Sequence, residues 1–224
     1  MRKSLIVGIL LAVSFFGVLA AMFMPIWDGK TFFKYADDAF NSLSKGSVYF
    51  IPEIVEEAKK FNGESINVKI EVESEETASR IVTLYSKAGA DVEYSDGVVV
   101  IDGDLGAILT KALKDADLGY KNELESKETL YYWWISLKEI AKHYKKTGEF
   151  DKALFIEDEV LTKAIEPAYN YHGIEAKSVS EEPLFVTALL IFYVVYTIWW
   201  GFAIFFLFEG LGLRMEGAKE KKEV

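Results

Sequence analysis

Two long apolar runs lie close to the ends of the chain. Residues 4–24 read SLIVGILLAVSFFGVLAAMFM and residues 184–208 read LFVTALLIFYVVYTIWWGFAIFFLF, and neither run contains a charged residue. A helix of about 20 predominantly apolar residues is long enough to cross the hydrocarbon core of a bilayer. The pattern therefore predicts two transmembrane helices, within residues 1–24 and 183–208, with the lipid bilayer as a first partner.

The first run has an alternative interpretation as a cleaved signal peptide. The residues Val18-Leu19-Ala20 fit a small-residue cleavage site. The apolar run continues past this point to Met24, which is longer than the apolar region of a usual signal peptide. We therefore predict an uncleaved anchor.

Residues 66–117 carry the clearest fold pattern between the two runs. A strand is predicted where apolar and polar residues alternate, with Ile66, Val68, Ile70 and Val72 on one face. A helix then follows, capped by Ser74 and ended by Gly89. Its apolar stripe consists of Ala78, Ile81, Val82 and Tyr85.

Two short strands and a second helix complete this region. The strands are predicted at residues 91–94 and 98–101, around the hairpin signal Asp96-Gly97. Asp104 caps the following helix, whose inward residues are Leu105, Ile108, Leu109, Ala112 and Leu113. Residues 98–101 are apolar on both faces and should form the central strand. The expected fold class is α+β, with a βαββα ferredoxin-like unit of sheet order 1-3-2.

This βαββα layout is similar to that of the SPOR peptidoglycan-binding domain, which also follows a membrane anchor. The resemblance covers residues 66–116. The opening motif of that family, an aromatic residue followed by VQ-x-G-x-F, is replaced here by Ile66-Asn67-Val68-Lys69. No binding residue is therefore carried over from the family.

Helical patterns flank this unit. Residues 25–62 are predicted to be helical, and residues 128–173 are predicted to form a helical hairpin that turns at Thr147-Gly148. The hairpin matches the first two-thirds of a tetratricopeptide repeat at Leu137, Ile140, Ala141, Tyr144, Gly148, Phe150 and Ala153. Its second helix departs from the repeat at Glu157 and Val160, so we predict an ordinary hairpin packed on the sheet. The alternative is a helical surface that docks a partner.

Candidate interaction residues lie in the second apolar run and in the hairpin. In the run they are Tyr193, Tyr196, Trp199 and Trp200, and in the hairpin Tyr144 and Phe150. The two tryptophans are placed near the cytoplasmic interface, whereas the deeper tyrosine hydroxyls need hydrogen-bond partners in lipid. The first run has small residues at helical spacing on two opposite faces, Gly8/Ala12 and Gly17/Ala21. One face is expected to meet the second helix and the other a foreign helix.

Composition narrows the possible functions. Residues 25–182 carry 19 basic and 31 acidic residues, a formal charge of −12, so nucleic acid is not expected as a partner. The absence of Cys excludes disulfides, thiolate metal sites and a Cys nucleophile. The absence of Gln, with abundant Glu and Lys, is a tendency of thermophilic proteins.

No pattern in the chain indicates a catalytic or metal site. His143 lies among lysines and His172 at a helix end before Gly173, and their spacing matches no metal motif. Three acidic groups have more ordinary interpretations as caps or solvated faces: Asp37-Asp38, Asp102-Gly103-Asp104 and Glu157-Asp158-Glu159. We therefore predict no catalytic residue, no metal and no cofactor.

The distribution of Lys and Arg predicts the orientation in the membrane. Arg214, Lys219, Lys221 and Lys222 follow the second run, whereas Lys177 alone lies close to its other end. The positive-inside rule then places residues 209–224 in the cytoplasm as a charged tail. Two crossings require a cytoplasmic N-terminus as well, so residues 25–182 are predicted to lie outside the cell (inner) membrane.

The expected function is that of a non-catalytic accessory or scaffolding subunit, whose partners are other membrane-protein subunits. The alternative is a membrane-anchored module that binds an envelope component or a small ligand. An enzyme is the third hypothesis, and it requires a carboxylate site that the sequence does not reveal.

Overall fold

The computed structural model describes residues 2–213, and of Arg2 only its place in a helix. The chain divides into two compact units, one made of residues 2–40 and 178–213 and the other of residues 41–177. The predicted tail, residues 209–224, lies outside the described residues from Arg214 onwards. The basic residues used to predict its location are therefore also outside them.

Two apolar helices make up most of the first unit. The helices α1 (Arg2–Met22) and α9 (Pro183–Gly210) are long and apolar enough to cross a membrane. Pro183 opens α9, where its missing N–H leaves no helical hydrogen bond unmade. The helices are antiparallel, because Leu5 lies against Gly210 whereas Phe15 stacks on Tyr196.

The predicted helical segment 25–62 begins with a turn rather than a helix. Trp27 and Lys30 exchange two backbone hydrogen bonds of 3.1 and 3.0 Å. Asp28 and Gly29 between them have φ angles of 53° and 72°, which are incompatible with a right-handed helix. The helix α2 (Phe32–Ser47) starts only after this turn, which corrects the prediction for residues 25–31.

The second unit contains the predicted three-stranded antiparallel sheet. The strands β1 (Ser65–Glu71), β2 (Asp91–Ser95) and β3 (Val98–Asp104) have the order β1-β3-β2. The two-residue hairpin at Asp96-Gly97 has positive φ angles of 50° and 81°, as a type I′ turn requires. The central position predicted for residues 98–101 is confirmed, but Val98 and Val100 are only half-buried, whereas Val99 and Ile101 are buried.

Two capped helices pack on the other face of the sheet. The helix α4 (Glu75–Lys87) has Ser74 as its N-cap, and α5 (Leu105–Tyr120) has Asp104. Both caps accept the predicted backbone hydrogen bonds, with Asp104 Oδ1 2.7 Å from the nitrogen of Ala107. The predicted inward residues of α5 are all fully buried.

A helical hairpin closes the core of the second unit. It is preceded in the chain by α3 (Ile51–Ala58) and a 3₁₀ turn (Lys59–Phe61). The first arm is α6 (Glu128–Thr147), which ends at Gly148 with a φ of 86°. The second arm contains α7 (Phe150–Leu154), a π-helical segment (Phe155–Ile165) and α8 (Glu166–Asn170).

The π-helical segment is the largest local departure from the predicted fold. It is 11 residues long, whereas π-helices usually occur as single-turn bulges and often at functional sites. The wider turn changes which side chains face α6, so the regular helical spacing of a tetratricopeptide repeat is not kept along this arm. Glu166 and Tyr169 come directly after this segment.

Candidate functional site

Aromatic residues connect α1 and α9 within the first unit. Phe15 stacks on Tyr196 with the ring centroids 4.2 Å apart, and Trp200 lies 4.8 Å from Phe15. Trp199 donates from Nε1 to the carbonyl of Leu11 at 3.2 Å. Both tryptophans therefore contact the middle of α1, and their predicted place at a membrane interface stays a prediction.

The two tyrosines of α9 differ in their environment. The hydroxyl of Tyr196 donates to the carbonyl of Phe15 across the helix pair, at 3.4 Å. Its partner is on the neighbouring helix rather than one turn away on its own. Tyr193 is 69% exposed, and within residues 2–213 its hydroxyl has no hydrogen-bond partner. In a bilayer, such a hydroxyl would be stabilised by a polar group from another molecule.

Each of the two helices has one glycine on the side that contacts the other helix and one on its outer side. A Cβ added at Gly8 would lie 2.6 Å from the backbone nitrogen of Leu207, and one at Gly210 would lie 2.5 Å from the Cα of Leu5. At Gly17 and Gly201, in contrast, no described atom lies within 4 Å of an added Cβ. The Gly8 face thus meets α9 as predicted, while the Gly17 face is uncovered.

The two hairpin candidates also have different environments. Tyr144 is buried and its hydroxyl has no hydrogen-bond partner among the described residues. Burial, which outweighs the nearby Lys152 ammonium, raises the pKa of this hydroxyl to about 12. Phe150 is 59% exposed. Of the two, Phe150 alone presents its ring at the surface of the unit.

Acidic side chains that were considered as metal ligands form hydrogen bonds or ion pairs within the protein. Asp104 accepts from the backbone nitrogens of Ala107 and Gly63, and Asp102 accepts from Asn67. Glu157 and Glu159 form ion pairs with Lys145 and Lys163. Residues 2–213 contain no group of three His, Asp or Glu side chains placed to hold a metal ion.

The histidines also have structural surroundings. The Nε2 atom of His172 lies 3.2 Å from the carbonyl oxygen of Leu124, which connects the end of the hairpin to the loop after α5. The ring of His143 packs edge-on against that of Tyr144, with centroids 5.9 Å apart. Neither ring lies beside a nucleophile, so the geometry of the described residues offers no nucleophile–base pair.

A cavity that the sequence did not reveal lies between the two arms of the hairpin. Its volume is about 370 Å³, within the range typical of small-molecule sites. It opens where the π-helical segment gives way to α8. Its lining residues are Leu130, Tyr131, Trp134, Ile165, Glu166, Tyr169 and Asn170.

The polar groups of this hairpin cavity are few. Glu166 accepts a hydrogen bond from Trp134 Nε1 at 2.9 Å, which holds the carboxylate beside the indole. Among the described residues, Glu166 forms no ion pair with a Lys, Arg or His side chain. The cavity thus combines three aromatic rings with one carboxylate that has no cationic partner there.

Two lysines already lie over the rings of the cavity. The ammonium of Lys138 is 4.5 Å from the ring centroid of Trp134, and that of Lys127 is 5.1 Å from the ring centroid of Tyr169. Both side chains are exposed and form no ion pair within residues 2–213. The aromatic faces around this cavity therefore already attract ammonium groups.

One signal in the sequence could have identified the cavity. Residues 131–134 read Tyr-Tyr-Trp-Trp, the densest aromatic cluster outside the apolar runs. Helical spacing places Tyr131 and Trp134 on one face. The positions of Glu166 and Tyr169 opposite them depend on the π-helical segment, which no sequence pattern indicated.

Comparisons with known proteins add no family to this description. No protein-family model matches the chain. No curated protein and no solved structure matches it significantly.

Proposed function

We propose that the chain is a non-catalytic accessory or scaffolding subunit of a membrane protein complex. Its helices α1 and α9 would anchor it in the bilayer, and residues 25–182 would lie outside the cell membrane. The proposed partner is a transmembrane helix of another subunit. The observation that carries the proposal is that Gly17 and Gly201, each on the side of its own helix away from the α1–α9 contact, have open space beside them.

Helix association in lipid depends on close backbone approach, because lipid tails are as apolar as the helices. Gly8 and Gly210 provide this approach between α1 and α9, where any larger residue would collide with backbone. Gly17 and Gly201 belong to the same helices but have open space beside them. A partner helix could approach either of these positions as closely as α1 and α9 approach each other.

A second feature of the helix pair supports the same proposal. An apolar groove of about 450 Å³ lies beside Trp199. It is lined by Leu11, Val195, Ile198, Trp199, Phe202 and Phe206. Bulky side chains of another helix would fill such a groove with dispersion contacts that mobile lipid tails provide less well.

The proposal is tested by the mass of the complex extracted from its native membrane in a mild detergent. The tagged full chain should elute with at least one other membrane protein. A Gly17→Leu or Gly201→Leu substitution should release it, whereas Val13→Leu, at a position 65% exposed, should not. A chain that elutes alone, or complexes that tolerate both glycine substitutions, would contradict the proposal.

The open face of the sheet favours a second candidate, a membrane-anchored module that binds an envelope component. Here the βαββα unit would be used in the manner of a ferredoxin-like, SPOR-like domain. On this face Val100 of β3 pairs with Lys69 of β1 and with Glu93 of β2. The lysine and the glutamate are exposed, and the valine between them is half-buried. Peptidoglycan fragments should then raise the melting temperature of the full chain in micelles, and Val100→Glu should abolish that rise. If no envelope fraction shifts the melting temperature, this candidate is excluded.

A further inference from the structure

We infer that the hairpin cavity binds a small quaternary ammonium compound of about the size of choline. The juxtaposition that carries this inference is that of Tyr131, Trp134 and Tyr169 around the carboxylate of Glu166. The inference does not depend on the proposed membrane partner or on the orientation of the chain in the membrane.

The aromatic rings provide the first argument. The face of an aromatic ring carries negative electrostatic potential, and Trp is the most favourable ring for a cation. Two rings of this cavity already lie within 6 Å of a lysine ammonium that forms no ion pair with a described carboxylate. These contacts show that both ring faces can bind an ammonium group, as they would with a cationic ligand.

The position of Lys138 leaves room for such a ligand. Lys138 lines a different cavity, on the side of α6 that faces β1, and Trp134 lines both cavities. The indole of Trp134 is therefore also accessible from the hairpin cavity. Because exposed lysines are flexible and only weakly held by a ring, a desolvated ligand cation can compete with them.

The carboxylate provides the second argument. Glu166 is half-buried and, within the described part of the chain, the only hydrogen bond to its carboxylate comes from the neutral indole of Trp134. A partly desolvated carboxylate of this kind attracts a cation more strongly than a solvated surface carboxylate does. The indole bond also fixes the carboxylate beside the ring, so that charge and ring face would act on one ligand group.

The apolar part of the lining, with Leu130, Ile165 and the ring faces, favours a quaternary over a primary ammonium ion. A primary ammonium has three N–H donors that need acceptors when they are buried. Apart from Glu166, the polar lining side chains are the two tyrosine hydroxyls, the indole N–H and Asn170 at the rim. A methylated ammonium has no such donors, and its methyl groups suit an apolar wall. The net charge of −12 over residues 25–182 also raises the local concentration of cations.

The test is calorimetric titration of the full chain in maltoside micelles with choline and with its neutral isostere 3,3-dimethyl-1-butanol. Choline should bind at one site and at least about tenfold more tightly than the alcohol, because only choline carries the charge. Glu166→Gln keeps an acceptor for the indole and should weaken choline binding about fivefold or more. Tyr131→Leu should weaken it by about threefold to tenfold.

Two further variants make the test specific. Lys127→Gln removes a competing cation, so it should strengthen choline binding, whereas a site for anions would be weakened by this change. Tyr94→Leu is the matched control, because Tyr94 is 40% exposed on the sheet and Tyr131 is 47% exposed. Near-ultraviolet circular dichroism and the melting temperature show that each variant is folded. The inference is overturned if choline and the alcohol bind equally, if neither binds below about 10 mM, or if folded Glu166→Gln retains full affinity.

Discussion

Gly8 of α1 lies directly against the backbone of Leu207 in α9. A Cβ at Gly8 would be 2.6 Å from the nitrogen of Leu207 and 2.9 Å from the carbonyl carbon of Phe206. Backbone atoms cannot move aside as a flexible side chain can. The contact therefore makes the pairing of the two helices depend on the absence of a side chain at this position.

A Gly8→Leu substitution should separate α1 from α9. Its effect is measured by oxidative cross-linking between Phe15→Cys and Tyr196→Cys, at positions whose rings are 4.2 Å apart. No native Cys competes in this reaction. The cross-linked fraction should fall several-fold in the Gly8 variant and remain unchanged in Gly17→Leu, where the added side chain meets open space. Equal cross-linking in both variants would contradict the helix contact described above.

A buried lysine should contribute strongly to the stability of the second unit. The ammonium of Lys45 donates to Asn122 Oδ1 at 3.1 Å and to the carbonyls of Tyr171 and Ile174 at 3.2 and 2.6 Å. Each acceptor also receives a second hydrogen bond, from Gly173 N–H, Asn122 Nδ2 or Ile174 N–H. Lys45→Met therefore removes only the charge-assisted bonds, which should cost about 1.5–3 kcal/mol in the free energy of unfolding. Lys59→Met is the control. Its exposed pair with Glu56 should contribute less than about 1 kcal/mol. Similar losses in the two variants would show that the Lys45 hydrogen bonds are not stabilising.

Tyr144 should make the unit less stable at high pH. Burial raises the pKa of its hydroxyl from 10.0 to about 12, so the folded chain retains a proton that the unfolded chain loses. The stabilisation is complete below pH 10 and disappears as the pH rises from 10 through about 12. Tyr144→Phe should therefore flatten the decline of stability with pH in this range, measured by urea unfolding in micelles. An unchanged slope would show that the hydroxyl is not protected by the fold.

The same substitution should cost little at neutral pH, because the Tyr144 hydroxyl has no described partner to lose. Tyr85→Phe is the comparison. The hydroxyl of Tyr85 donates to Ser136 Oγ at 2.9 Å inside the core, so its loss should cost about 1 kcal/mol. Burial raises the pKa of Tyr85 as well, so this second variant should also reduce the alkaline decline.

The sequence predicted those parts of the fold whose determinants are local. The positive-φ turn at Asp96-Gly97, the cap at Asp104 and the alternation along β1 each follow from a short pattern, and the structure confirms all three. The central strand was also predicted correctly, although its second face is open. Val98 and Val100 on that face are half-buried, whereas Val99 and Ile101 on the helix-covered face are buried.

The features that the sequence did not predict depend on contacts between distant segments. Nothing in residues 155–165 distinguishes a π-helix from an α-helix by composition or spacing. The segment packs against α6 and α5, and these contacts between distant parts of the chain are seen only in the folded structure. The hairpin cavity follows from the π-helical conformation, since Glu166 and Tyr169 reach Trp134 from the far end of the π-helical segment. Tyr144 was predicted as an interaction residue, but the structure buries it. The sequence alone does not show whether an aromatic residue on a helix faces the core or the surface.

The orientation of the chain in the membrane can be tested by thiol labelling. We expect residues 25–182 to lie outside and both termini to lie in the cytoplasm. The positive-inside rule counts Lys and Arg, so the acidic residues of the tail should not reverse the effect of its four basic residues. A Ser95→Cys substitution places a thiol at an exposed position of the β2–β3 hairpin. It should react with a membrane-impermeant maleimide in intact cells, whereas a Gly217→Cys substitution in the tail should react only after lysis. The reverse pattern would overturn the orientation.

The mass of the mature chain provides a separate control. Loss of the first 20 residues would leave α9 as the remaining anchor and would replace the two-helix arrangement by a single crossing.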